Sequence, residues 1–201
     1  MAILVIRHGE TDLNAGRVIQ WPDTPLSKRG VRQAARLGER LANASIGRII
    51  ASDYARAYST AEAVAAANGA PLEVVTSLRE RHFGDLRGKS YTDLTADPHA
   101  QDYEPPGGES WPVFHERVDK AWADILEAQA NTEGDLAVVT HGLVLRSLVD
   151  RLVAPPEGVD VGAVVFRNTS LTRLEGPPWA AVLVGCAEHL DGDLLADGAA
   201  A

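Results

Sequence analysis

The sequence predicts an α/β fold, a three-layer α/β/α sandwich with a mainly parallel central sheet, and three observations carry that expectation. Short apolar runs alternate with stretches of helical period along most of the 201 residues, the pattern of repeated strand-helix units. Two of the runs, Ile3 to Ile6 and Leu136 to Thr140, are almost continuously apolar, as strands covered on both faces are. Each halts at a His-Gly pair, His8-Gly9 behind Arg7 and His141-Gly142, so both imidazoles are delivered to the end of a sheet, where open α/β sheets keep their sites.

Taken in order, the first strand is followed by a loop from Asp12 to Pro25, broken by Gly16, Pro22 and Pro25. Ser27 is a suitable N-cap for an amphipathic helix to about Ala42, with Val31, Ala34, Leu37 and Leu41 at three- and four-residue intervals. Arg48 to Ala51 forms a second strand, and Ser52-Asp53 would cap a helix from Tyr54 to Ala67 that ends before Asn68-Gly69. Pro71 to Val75 reads as a third strand. Residues 77 to 106 have no clean period and carry Pro98, Pro105 and Pro106, which predicts irregular structure with one short helix near Tyr91. A long helix runs from Glu109 to about Ala130, with Val113, Val118, Ala121, Ile125 and Leu126 on its buried side. After the Leu136 to Thr140 strand comes a helix from Leu143 to Leu152, then β-rich runs at Val161 to Phe166, Ser170 to Leu174 and Ala180 to Val184, the last of them forming an antiparallel edge. This order predicts a single domain over residues 1–190 and a frayed tail over 191–201.

Composition narrows the function. The length suits one domain, and 45% hydrophobic with 23% charged residues is ordinary for a globular chain. A formal net charge of −9 argues against sequence-independent nucleic-acid binding, which needs clustered cations to displace counterions. Any anionic substrate must therefore meet a local positive pocket. Cys186 is the only cysteine, so there is no intramolecular disulfide and no cysteine-based zinc site, which fits a reducing compartment. The N-terminal apolar run is too short for a signal-peptide core, and no stretch approaches the roughly 18 apolar residues of a membrane span. A soluble, cytoplasmic protein without membrane partners is expected, either a monomer or a homodimer.

If the strands ending at His8 and His141 are neighbours, the two imidazoles lie a few ångströms apart, and the helix after Ser52 adds Arg56 from its first turn. Arg7 and Arg56 then place two guanidiniums beside two histidines in an otherwise acidic protein. Guanidinium forks and helix N-termini favour a phosphoryl dianion, so a small phosphorylated substrate is the expected partner. Neighbouring cations also disfavour protonation of an imidazole, which leaves one histidine neutral and nucleophilic near pH 7. No histidine-carboxylate spacing demands a metal, and no cofactor is called for. His82, His99, His115 and His189 are expected at structural or surface positions, with His82 nearest the pocket mouth.

These residues sit in ordered motifs: Arg7-His8-Gly9-Glu10-Thr11 with Asn14, Asp23-x-Pro25-Leu26-Ser27, Ser52-Asp53 with Arg56, Leu78-x-Glu80 with Phe83-Gly84, Pro106-Gly107-Gly108-Glu109-Ser110, and Thr140-His141-Gly142. Over nearly the whole chain, from about Met1 to Leu190, the sequence resembles the histidine phosphatase superfamily, also called phosphoglycerate mutase-like. The resemblance implies that His8 attacks phosphorus and becomes phosphorylated, while Arg7, Asn14, Arg56 and His141 hold the phosphoryl oxygens. It assigns Glu80 as proton donor to the leaving oxygen and then as base toward water, a role that needs a carboxyl with a raised pKa. Glu109 is the runner-up acid. Gln20, Trp21, Glu109 and Gly142 are the further candidates for contact with substrate. In the family the loop before Trp21 commonly carries a glycine close to the ligand, where this chain has Gln20, which would narrow the pocket or supply an amide.

Within the family, His141-Gly142 is followed here by apolar Leu143-Val144, where the mutase pattern is polar. The stretch from Glu80 to Gly107 is short for a lid that would exclude water. Hydrolysis of phosphomonoesters through a phosphohistidine, without metal, is therefore expected ahead of cofactor-dependent phosphoglycerate mutase chemistry. A phosphoester-binding protein that has lost turnover is the third possibility.

Overall fold

Alternation along the first strand sorts its side chains onto two faces. Ile3 and Val5 join one apolar cluster, Ala2, Leu4 and Ile6 another, as the two-residue period of a strand requires. The computed structural model describes residues 1–195. Its elements are β1 (Ala2–Arg7), α1 (Asp12–Ala15), α2 (Lys28–Leu41), β2 (Ile46–Ala51), α3 (Ala55–Asn68), β3 (Leu72–Val74), α4 (Trp111–Ala130), β4 (Asp135–Thr140), α5 (Gly142–Arg151), β5 (Leu171–Glu175), β6 (Ala180–Cys186) and α6 (Gly192–Leu195). The strands form one sheet in the order β3-β2-β4-β1-β5-β6. The pairs β3 with β2, β2 with β4 and β4 with β1 are parallel, and β5 and β6 add antiparallel to the far side.

The helices cover both faces. One core cluster joins alternate residues of β1 and β4 to Phe114, Val118, Ala121 and Ile125 of α4 and to Val144, Leu145 and Leu148 of α5. The opposite cluster joins Ile6, Ile49 and Val139 to Leu37 and Leu41 of α2 and Ala57, Ala61 and Val64 of α3. This is the three-layer α/β sandwich with a mainly parallel sheet. No helix among the described residues is long and apolar enough to cross a membrane.

Several expectations change in detail. The loop from Asp12 opens with the short helix α1, capped by Thr11, whose Oγ1 accepts from Asn14 N at 2.9 Å. The run Val161 to Phe166 is not a strand. Arg146 donates to the carbonyls of Val161 and Val164, and Arg7 Nη1 to that of Phe166 at 2.6 Å, so guanidiniums take up the backbone acceptors that a strand partner would have used. The tail is not frayed at its start: α6 follows Asp191, Leu194 is buried, and the Leu194 carbonyl accepts from Gln33 Nε2 at 2.9 Å. Residues 196–201 of that tail lie outside the described residues. Ser52 does not cap α3, which starts behind Tyr54, and α4 is capped by Ser110 rather than entered at Glu109.

Candidate active site

The register Arg7↔Thr140 sets the ends of β1 and β4 level, and His8 N donates to the Thr140 carbonyl at 2.9 Å. The chain then leaves both strands at once, and the rings of His8 and His141 face each other with centroids 5.2 Å apart. Both imidazoles are buried. His141 is the N-cap of α5, and its Nε2 pairs with Ser52 Oγ at 2.9 Å, while its buried Nδ1 has no hydrogen-bond partner among the described residues. Arg56, in the first turn of α3, approaches His8 with Nε 3.3 Å from Nε2 and donates through Nη1 to the Trp21 carbonyl at 3.0 Å.

This geometry fixes the state of His8. Its Nδ1 lies 2.7 Å from the Gly9 carbonyl, an acceptor only, so Nδ1 carries the proton and Nε2 keeps a lone pair. Arg56 donates toward that lone pair. Burial, then the charges of Arg56 and Arg7, hold the His8 pKa well below its ordinary 6.5. Burial, Arg56 and His8 do the same to His141. Burial lowers the Arg56 guanidinium to about 10, which leaves it charged at neutral pH.

The loop that carries His8 is gripped on both sides. The Asn168 amide donates to the His8 carbonyl at 3.0 Å, and Thr169 N donates to the Arg7 carbonyl at 3.1 Å. Thr60 Oγ1 accepts from Gly9 N at 2.9 Å and donates to the Arg56 carbonyl at 2.7 Å, tying the loop to α3. On the other side Glu10 docks on the N-terminus of α2. Its carbonyl accepts from Ser27 N at 2.9 Å, its carboxylate accepts from Ser27 Oγ at 2.8 Å and pairs with Arg29, and its N–H reaches Gln33 Oε1 at 2.9 Å. A carboxylate at a helix N-terminus is favoured by the free N–H groups there.

Arg7, His8, Asn14, Gln20, Arg56 and Glu80 all line one cleft of about 440 Å³. Glu80 is held by two backbone amides, with Oε1 accepting from Arg81 N at 2.9 Å and Oε2 from Leu143 N at 3.2 Å. Gln20 Oε1 accepts from Thr11 Oγ1 at 2.7 Å, so the amide is set by the loop that follows His8.

Four candidates are not among the residues that line the cleft: His141 is fully buried against the His8 ring, and the other three are placed elsewhere. Glu109 does not line the cleft: it forms a two-point ion pair with Arg117, with both contacts at 2.7 Å, and accepts from His82 N at 2.8 Å. Burial alone would raise its pKa, but Arg117 and the His82 amide hold it below the usual carboxylate value, the wrong direction for a proton donor. The Trp21 ring is 48% exposed and covers Gly88, so Trp21 serves the cleft through its carbonyl. Gly142 begins α5, and Leu143 after it is the residue that faces the cleft.

Sequence reasoning missed the outer half. Residues 91 and 94–99 line the cleft, with Arg17, Tyr54 and Arg87. His99 rather than His82 reaches it, stacked on Tyr91 at 5.7 Å. The buried Arg81 donates to the carbonyls of Glu109, Pro98 and Tyr103 and lies 4.1 Å over the Trp111 ring, anchoring this irregular wall. The sole sequence signal was the density of aromatic residues and prolines in an aperiodic stretch.

Buried neutral imidazoles between guanidiniums, at the carboxyl ends of parallel strands, define an α/β enzyme directed at phosphoryl groups. The chain belongs to the histidine phosphatase superfamily (branch 1), which it matches over residues 3–188. It is 33% identical to "Probable phosphoglycerate mutase GpmB" of Salmonella choleraesuis, over 97% of each chain. Among solved structures it is similar to Bacillus stearothermophilus YhfR, at 30% identity and a TM-score of 0.78 over 94% of this chain and 98% of that one. It also resembles a mycobacterial glucosyl-3-phosphoglycerate phosphatase solved with VO3, at 28% identity and a TM-score of 0.76 over 91% and 97% of the two chains.

Proposed function

We propose that the protein is a metal-independent phosphomonoester hydrolase of small phosphorylated metabolites, working through a phosphohistidine in the cytoplasm. The observation that carries this reading is the His8 tautomer: the Gly9 carbonyl holds the proton on Nδ1 and leaves the Nε2 lone pair beside Arg56. In the first step Nε2 bonds to phosphorus as the bond to the leaving oxygen breaks, and Glu80, entering protonated, gives that oxygen its proton. Arg7, Asn14, Arg56 and His141 hold the phosphoryl oxygens as charge develops on them. In the second step Glu80 takes a proton from water, the water oxygen bonds to phosphorus, and the bond to Nε2 breaks, releasing inorganic phosphate.

Transfer to a second substrate, as in a mutase, is the competing reading, favoured by the name of the Salmonella relative. It needs a phosphohistidine shielded from water. The segment that would provide the shield is short, and Arg81 ties it to the body of the protein at Pro98 and Tyr103, which supports hydrolysis. The deciding experiment assays p-nitrophenyl phosphate in the presence of a chelator with wild type and His8→Ala, then 3-phosphoglycerate with and without 2,3-bisphosphoglycerate. Chelator-resistant release of phosphate by wild type alone is expected. Rapid, bisphosphoglycerate-dependent formation of 2-phosphoglycerate would overturn it.

A further inference from the structure

The cleft has two chemically different halves. Around His8 it is cationic, through Arg7 and Arg56. Beyond Glu80 it is faced by Ile19, Phe83, Leu94 and Leu143, which belong to a third apolar cluster that meets the α4–α5 side of the core only through Leu143. The Tyr91 and His99 rings close this wall, His99 meeting Phe83 edge-on at 5.9 Å. Burial holds the His99 imidazole below 6.5, so it faces the cleft uncharged at neutral pH.

The cations on this side each have a partner within the protein. Arg81 is taken up by three backbone carbonyls, Arg87 donates to the Tyr54 hydroxyl at 3.0 Å, and Arg17 lies 6.0 Å over the Tyr91 ring. Asp97 and Glu80 bring carboxylates to the same cleft. A carboxylate on the leaving group would give up its water against aliphatic and aromatic carbon and meet the like charge of Asp97.

Building on the hydrolase reading, we infer that the preferred substrates are phosphomonoesters of uncharged, ring-bearing alcohols, with the ring packed against Ile19, Phe83, Leu94 and Leu143. A volume of about 440 Å³ is within the range of small-molecule sites, room for a phosphoryl group and one ring system.

The test uses three esters with alkyl leaving groups, so that leaving-group acidity does not dominate: ethyl phosphate, 3-phosphoglycerate and 2-phenylethyl phosphate. The expected kcat/KM for 2-phenylethyl phosphate is at least about tenfold above the other two, because only it has a ring to bury in this half. In Leu94→Asp, and more mildly in Leu94→Ser, the ratio of 2-phenylethyl phosphate to ethyl phosphate should collapse toward one. His8-dependent turnover with ethyl phosphate or 3-phosphoglycerate equal to or better than the aryl-bearing ester would overturn the substrate class and leave the hydrolase reading standing. Absence of His8-dependent turnover of all three would remove both.

Discussion

Gly30 reports whether the loop carrying His8 is held by α2, as the geometry requires. A Cβ built at Gly30 would lie 2.9 Å from both the N and the C of Glu10 and nearer still to the Glu10 carbonyl oxygen, where ordinary contact begins at 3.4 Å. In Gly30→Ala the helix and the loop must part by at least half an ångström, and Glu10 is two residues from His8, the proposed nucleophile. Misplacement on the ångström scale costs a reaction up to about 100-fold, so kcat/KM should fall roughly 10- to 100-fold. Overpacking costs about 1–3 kcal/mol, and the better helix propensity of alanine offsets about 1 kcal/mol of it. The net loss of up to about 2 kcal/mol corresponds to a Tm lowered by up to roughly 8 °C. Gly38→Ala supplies the control. It is in the same helix, and its Cβ would meet the Ala63 carbonyl of α3 at 2.8 Å, away from His8. Steady-state kinetics on p-nitrophenyl phosphate with thermal melts should show both variants destabilised and only Gly30→Ala slowed. Kinetics within twofold of wild type in both would refute the coupling of α2 to the His8 loop.

Glu80→Gln keeps one of the two amide bonds, from Arg81 or Leu143, since its Nε2 cannot accept, and it cannot deliver a proton. Turnover of alkyl phosphates should fall about 10²- to 10⁴-fold, and that of p-nitrophenyl phosphate much less; equal slowing would mark Glu80 as a positioning group. Burial and two guanidiniums keep His8 neutral below 6.5, so kcat/KM, corrected for ionisation of the substrate, should hold as pH falls through 6.5. An inflection at 6.5 would contradict the neutral nucleophile, whereas Arg56→Gln should move the acid limb up. His189 accepts from Arg40 Nη1 at 3.1 Å and donates to Thr169 Oγ1 at 3.0 Å, and burial, Arg40 and Arg36 depress it to about 4. Between pH 6.5 and 4 the unfolded chain binds the extra proton, so stability is lost as pH falls, by about 1–2 kcal/mol once solvent screening of this half-exposed ring is allowed for. Urea midpoints across that window should slope less in His189→Gln; identical slopes would exclude the effect.

The parts of the site on regular structure were legible in the sequence because period and termination locate them. Two apolar strands ending in histidine, with a helix starting behind Ser52, sufficed to bring Arg7, His8, Arg56 and His141 together. Glu80 and Gln20 reach the cleft from loops, and family motifs rather than periodicity pointed to them. Glu109 was misplaced because its carboxylate is spent on Arg117 and the His82 amide, long-range pairs that no local pattern encodes. The wall at Tyr91, Leu94 and His99 was invisible for the same reason: one buried guanidinium, Arg81, shapes it by binding carbonyls 17 and 22 residues away. The Val161 to Phe166 run has the composition of a strand, yet Arg146 and Arg7 satisfy its carbonyls first.

Trapping the covalent intermediate tests the central claim most directly. Wild type mixed with a 32P-labelled phosphomonoester and quenched in denaturant at alkaline pH within one turnover should carry acid-labile label on the peptide that contains His8, and His8→Ala should carry none. Label on any other residue, or hydrolysis by wild type with no labelled protein at any quench time, would contradict the phosphohistidine account.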